Sequence, residues 1–130
     1  MKVYVIKGDP TPLMRAGRNG KRTFDPQKNL KIMAGIDLVS QHNNEPLLEG
    51  PLHLDVTFFM APPKSISIKR KALLCGQPHI FKCDLDNLIK FIGDVCNGII
   101  YYDDCAIAKI TAKKIYDEIP RTEFKIICMK

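Results

Sequence analysis

No stretch of this 130-residue chain approaches the roughly twenty consecutive apolar residues that a membrane helix requires. The run Met1-Lys2-Val3-Tyr4-Val5-Ile6-Lys7 is too short for the apolar part of a signal peptide, and no small-residue cleavage site follows it. The sequence therefore predicts a cytoplasmic protein that makes no membrane contact. Paired cysteines are lacking too. Cys75, Cys83, Cys96, Cys105 and Cys128 are odd in number and include no Cys-x-x-Cys, which argues against a disulfide framework, a zinc site and thiol redox work. His42, His53 and His79 are scattered without zinc-ligand spacing and read as structural or exposed. Repeats, linkers and low-complexity segments are absent. What remains is a globular chain, 45% hydrophobic, whose length suits one domain (1–130) with a single core.

Acidic residues are in the minority. The net charge is +6 and the pI near 9.1, a balance that favours a polyanionic partner. Arg15, Arg18, Lys21 and Arg22 crowd one glycine-punctuated loop, and Lys64, Lys69, Arg70 and Lys71 crowd a second segment. Either cluster alone reads equally well as a solvated face. Beyond them, five acids gather within about twenty residues, in Lys82-Cys83-Asp84-Leu85-Asp86-Asn87-Leu88-Ile89-Lys90, then Asp94, then Tyr102-Asp103-Asp104. A basic chain that gathers carboxylates accepts repulsion there, and the usual return is a bound divalent cation. Two basic clusters ahead of such a centre favour phosphate contacts.

Val3 and Val5 predict a first strand, ended by Gly8-Asp9-Pro10-Thr11-Pro12. After the basic loop, Asp25-Pro26 reads as a helix start, with Asp as cap and Pro at the first helical position. Leu30, Met33, Ile36 or Asp37, and then Leu38 and Val39, give that helix a stripe to about Gln41, and His42 to Pro46 closes it. Leu52, Leu54, Val56 and Phe58 alternate with His53, Asp55, Thr57 and Phe59 as a period-two strand stopped by Pro62-Pro63. A short basic helix is predicted between Ser65 and Leu74. Leu88, Phe91, Ile92, Val95 and Cys96 recur at helical spacing, and Asn97-Gly98 ends that helix. Residues 106–116 and 122–129 predict two strands paired across a turn at Pro120. The mixed order implies an α+β class with a mixed or largely antiparallel sheet and helices packed on it.

Asp84 and Asp86 stand two apart at the mouth of the 87–96 helix, so an extended chain would project both carboxylates to one side. Asp86, Lys90 and Asp94 follow at steps of four along one helical stripe. The return through Gly98 is expected to bring Asp103 or Asp104 to the helix's N-terminal end, giving oxygen ligands suited to octahedral magnesium. The competing reading makes Asp84 or Asp86 a helix cap, pairs Lys90 with Asp86 and Asp94 on the surface, and leaves Asp103-Asp104 as a solvated turn.

The segment from Lys82 to Lys90, with Asp94, Asn97-Gly98 and Tyr102-Asp103-Asp104-Cys105-Ala106-Ile107, closely resembles the signature of the RusA family of Holliday junction resolvases. The N-terminal part is similar more loosely, in a strand, a Pro-containing turn and an Arg-rich loop entering a helix. The resemblance implies a RusA-like fold and a homodimeric endodeoxyribonuclease that uses magnesium, with manganese as a substitute, and no small-molecule cofactor. By the same resemblance, Asp84, Asp86 and Asp104 are metal-binding carboxylates, with Asp103 a weaker candidate. Lys90 is the essential catalytic lysine, and Asp94 is supporting. Cys83 departs from the pattern, standing where proline is frequent. The implied substrate is a four-way DNA junction cut by paired symmetric nicks in recombination and repair, with Arg15, Arg18, Lys21, Arg22, Lys69, Arg70 and Lys71 gripping its arms. A broader fork or branched-DNA nuclease and a non-catalytic nucleic-acid-binding module are the alternatives.

Overall fold

The computed structural model describes residues 2–14, 17–20 and 22–129, with residues 18 and 19 described by their backbone alone. Strand β1 (Tyr4–Lys7) is followed by a small hairpin of β2 (Gly17–Asn19) and β3 (Arg22–Phe24), helix α1 (Lys28–His42) and strand β4 (Leu52–Met60). Helices α2 (Ile68–Leu74) and α3 (Leu85–Cys96) come next, then a 3₁₀ turn (Asp104–Ala106) and strands β5 (Ile107–Tyr116) and β6 (Arg121–Cys128). This is the expected α+β class, with a mixed four-stranded sheet in the order β1-β6-β4-β5. The glycine-punctuated basic segment differs from expectation in forming the β2-β3 hairpin rather than an open loop. No helix among the described residues is long and apolar enough to cross a membrane.

The alternation along β4 is strict. Leu52, Leu54, Val56, Phe58 and Met60 are buried beneath the helices, while the residues between them are half-buried on the other face. A strand so protected can be hydrogen-bonded on both edges, and β4 is central: antiparallel to β6 and parallel to β5. The expected β5-β6 hairpin is therefore corrected, since β4 lies between the two strands. The reason is the crossover. The chain leaves β4, runs through α2 and α3, and returns alongside it as a parallel neighbour, the pairing that needs such a long connection. Lys109, Lys113 and Lys114 make β5 a suitable edge. The connection to β6 then steps across the end of β4, where the Asp117 amide donates to the Met60 carbonyl at 3.0 Å.

Helix α3 buries Leu88, Phe91, Ile92, Val95 and Cys96, as its periodicity predicts. Helix α1 corrects the sequence in two respects. Most of its predicted stripe faces outward, with Leu30, Met33, Ile36 and Val39 all exposed; of that stripe Leu38 alone turns inward, beside Gly35 and His42. Polar anchors decide this orientation. The Gln41 side chain makes two bonds to the Val5 backbone, at 2.8 and 2.7 Å, and the Tyr4 hydroxyl lies 2.7 Å from His42 Nδ1. Gly35 permits a close approach, because a Cβ there would stand 3.1 Å from Ile99 Cδ1. The start of the helix is corrected as well. Asp25 does not cap it; its Oδ1 accepts from the Gln27 amide at 2.9 Å in a turn, and the helix begins at Lys28.

Candidate metal centre and nucleic-acid interface

Asp84 occupies the N-cap position of α3 in an extended conformation (φ −65°, ψ 136°), and Asp86 lies in the first turn. Cap residues ordinarily spend their side chain on the helix's free amides. Here Asp84 makes no such bond, and both carboxylates are exposed. Among the described residues, neither lies within 4 Å of a cationic group. Lys90, one turn further along the same face, is also exposed and pairs with no carboxylate in that set. Surface ion pairs of Lys90 with Asp86 and Asp94, the alternative the sequence left open, do not form.

Asp94 is engaged elsewhere. Lys31 of α1 reaches Asp94 at 3.4 Å and Asp25 at 2.7 Å, clipping α1 and the base of the hairpin to α3. Partial burial opposes the charge on Lys31, but its bonds to Asp25 and Asp94 prevail and hold its pKa above the ordinary value. The bond from Lys31 in turn holds Asp25 below the usual carboxylate range.

The return after α3 is anchored by Tyr101, a buried residue whose hydroxyl donates to the Gly93 carbonyl at 2.9 Å. This sets the Asp104 carboxyl against the small face of Gly93, where a Cβ would stand 3.4 Å from Asp104 Oδ2. Partial desolvation, reinforced by a hydrogen bond with Asp103 and the charges of Asp103 and Asp94, raises the Asp104 pKa. Asp103 moves the opposite way, lowered chiefly by a hydrogen bond from the Cys105 thiol.

Asp104 thus sits beside the second half of α3 and not at its N-terminal end, which corrects the expected return. Seven residues at about 1.5 Å each put Gly93 roughly 10 Å along the axis from Asp86, with Lys90 between them on the same face. Among the described residues, no three His, Cys, Asp or Glu side chains are gathered closely enough to hold a metal ion. The stripe Asp86–Lys90–Gly93 is instead flanked by carboxylates: Asp84 and Asp86 at the start, Asp104 further along. All are hard oxygen donors, the type that magnesium prefers. By donor chemistry the residues fit such a cation.

The basic clusters are placed unevenly. Arg15 and Lys21 lie outside the described residues, as does the side chain of Arg18; Arg22 is exposed on β3. The chain entering the hairpin crosses the start of α3, for the Leu13 amide donates to the Asn87 carbonyl at 2.9 Å, one residue from Asp86. Buried Gln27 secures that crossing, bonding the Pro12 carbonyl at 2.7 Å and the Met14 amide at 2.9 Å. In the second cluster Lys64, ahead of α2, is exposed, as are Lys69 and Arg70, and Lys71 is half-buried, on an α2 that buries no residue at all.

Sequence reasoning passed over Gln27 and Lys31, which carry no motif, because their partners lie far away along the chain. It also passed over Phe81 and Tyr102, 67% and 66% exposed, which flank the two acidic segments and can offer rings to bases. The signal for these two was available: an aromatic within a few residues of each acidic group.

A family model described as Endodeoxyribonuclease RusA matches residues 7–127. The chain is 33% identical over 132 residues to the Uncharacterized protein YqaN of Bacillus subtilis (strain 168), across 95% of this chain and 93% of that protein. It is 42% identical over 77 residues to the Crossover junction endodeoxyribonuclease rusA of Lactococcus phage r1t, across 58% of this chain and 53% of that protein.

Proposed function

This chain belongs to the RusA endodeoxyribonuclease family, and from that premise we propose that it is a magnesium-dependent nuclease that resolves four-way DNA junctions by paired, symmetric nicks. The observation that carries the reading is the pair of exposed carboxylates at the head of α3, Asp84 and Asp86: Asp84 makes no side-chain cap bond, and among the described residues neither forms an ion pair, nor does Lys90 one turn on. Charged groups left without structural employment on a rigid helix suit a ligand that is both metal and phosphate.

Asp84 and Asp86 would hold the cation, and Asp104, with Asp103 beside it, would reach the same ion only if the site draws together on binding, since it stands roughly 10 Å further along α3. When bound, the cation supplies Lewis acidity at the scissile phosphate and a water of lowered pKa. The ammonium of Lys90 neutralises charge growing on the phosphoryl oxygens. Asp94, held by Lys31, keeps the hairpin and α1 in register with α3. The hairpin arginines and lysines and the cations of α2 hold the arms through phosphates, so that branched shape is read in preference to base sequence.

Symmetric nicking of a two-fold substrate calls for two sites, and so for a homodimer. The outer face of α1 supports this: Ile32, Ile36 and Val39, at helical spacing, are 49%, 67% and 53% exposed. Such a stripe is costly to leave in water and matches a second copy of itself. The test is cleavage of a synthetic four-way junction, compared with a fork and a linear duplex, with and without magnesium. Magnesium-dependent cutting that favours the junction is expected. Equal cutting of the fork would make this a broader branched-DNA nuclease, and tight binding without cutting would make it a binding module.

A further inference from the structure

The segment that delivers the chain to Asp84 is tied to β5 along part of its length. From residue 76 to 79 it runs along the free edge of β5: the Gly76 amide donates to the Tyr116 carbonyl at 2.9 Å, the Tyr116 amide to Gln77 at 3.0 Å, and the His79 amide to Lys114 at 3.0 Å. Beyond His79 this backbone ladder stops. Ile80, Phe81 and Lys82 are exposed, with the first two carrying large apolar side chains into solvent. Among the described residues, the hydrogen bonds that hold 80–83 all come from one group. Lys114 Nζ donates to the Phe81 carbonyl at 2.7 Å and to the Cys83 carbonyl at 2.6 Å.

We propose that Lys114 is a positioning residue for the metal-binding pair, fixing the carbonyls of Phe81 and Cys83 and thereby the point from which Asp84 and Asp86 are presented. This rests on the nuclease reading above. Register explains why position 114 can do it. Lys114 lies opposite Phe58, whose side chain is buried under the helices, so it projects to the same side of the sheet as α3. Lys113 projects to the other face, opposite Thr57. The Lys114 side chain is half-buried, and no carboxylate lies within 4 Å of its ammonium among the described residues. A partly desolvated cation without a counter-charge is expensive unless strong acceptors surround it. Two short charge-assisted bonds to carbonyls supply them. Only a long, multi-donor cation can bridge carbonyls two residues apart from a neighbouring strand. Cys83 is the last residue before Asp84, so its carbonyl is the last fixed point before the carboxylates.

The test uses the full chain and three variants: Lys114→Met, which keeps the stem and loses the donors; Lys114→Arg, which keeps donors; and Lys113→Met, which removes the same charge one residue away. Manganese binding is measured by titration without DNA, and cleavage of a four-way junction is measured against magnesium concentration. Lys114→Met is expected to weaken manganese binding and to raise the magnesium needed for half-maximal cleavage, each by roughly 10- to 100-fold. Its junction affinity should stay within about twofold of the parent, because the ammonium is occupied by carbonyls and contributes no phosphate contact. Lys114→Arg should recover most of both losses, and Lys113→Met should show neither. Amide exchange across 80–86 should quicken in Lys114→Met while the core of β4 stays protected, which separates local release from failure to fold. A Lys114→Met protein with unchanged manganese affinity overturns the proposal. So does one whose defect is matched by Lys113→Met, or is confined to junction affinity with a shallower salt slope, since Lys114 would then act through net charge or a phosphate. If the parent protein neither binds manganese nor cleaves a junction, the nuclease reading itself falls and the proposal falls with it.

Discussion

At the scale of single residues, the proposed function rests on charges that have no structural partners among the described residues. Asp84 takes the backbone conformation of a cap but makes no side-chain cap bond, and among the described residues neither it nor Asp86 nor Lys90 forms an ion pair. Replacing Asp86 by Asn preserves shape while removing charge, so junction cleavage should drop by at least about 100-fold. Junction binding should hold or tighten, because a carboxylate facing phosphate is repulsive. Gel-shift and single-turnover assays on the same preparation separate the two effects. Asp104, desolvated against Gly93, should matter more than Asp103; if Asp103→Asn is the more damaging change, the wrong member of the pair has been assigned. Lys90→Ala should lose cleavage at saturating junction with affinity little changed, as expected for a group that acts on the transition state. These residues were legible in the sequence because a motif is local: its spacing survives without the fold. Gln27, Lys31 and Lys114 were not, since each acts on a partner brought near only by folding, and a glutamine or lysine carries no signature of that.

At the scale of elements, type and extent were more readable than direction. Helix α3 and strand β4 follow from periodicity, because a buried stripe or an alternation is written into adjacent residues, and β5 and β6 follow from β-branched content on either side of Pro120. The pairing of β5 was not readable, since it depends on the crossover from β4 and not on β5 itself. The outward face of α1 escaped for a related reason: apolar residues lie on both of its sides, and Gln41, His42 and Gly35 decide which turns inward. The clip between α1 and α3 yields a pH prediction. Asp25 has its folded-state pKa lowered by Lys31, so it contributes stability that is fully present above its ordinary pKa of 3.8 and is lost as pH falls through the lower folded value. Lys31→Met should therefore melt below the parent at neutral pH, and the two melting temperatures should converge in acid. The exposure of the pair keeps the difference small. A gap that stays constant down to the acid limit would mean that Lys31 stabilises through its stem alone.

At the scale of the whole molecule, a 14.7 kDa chain with net charge +6 would, on the proposed function, have to hold four DNA arms symmetrically. The exposed stripe on α1 offers the means. Ile36→Glu should convert a dimer into a monomer in sedimentation or light scattering, and should abolish paired nicking while leaving the fold intact. A parent protein that is monomeric at micromolar concentration yet makes paired cuts would overturn the dimer. Removing charge at Arg22, Lys69 or Arg70 should weaken junction binding and flatten its dependence on salt, by roughly 0.9 in the log–log slope for each phosphate no longer neutralised. The cut positions should be unchanged. The central claim is that the carboxylates at the head of α3 catalyse magnesium-dependent resolution of branched DNA. Its most direct test is mapping the nicks made on a synthetic four-way junction by the parent and by Asp86→Asn in magnesium. Symmetric paired nicks are expected from the parent, none without magnesium, and a variant that binds the junction but leaves it whole. Full cleavage by Asp86→Asn, or parent cleavage indifferent to magnesium, would contradict the claim.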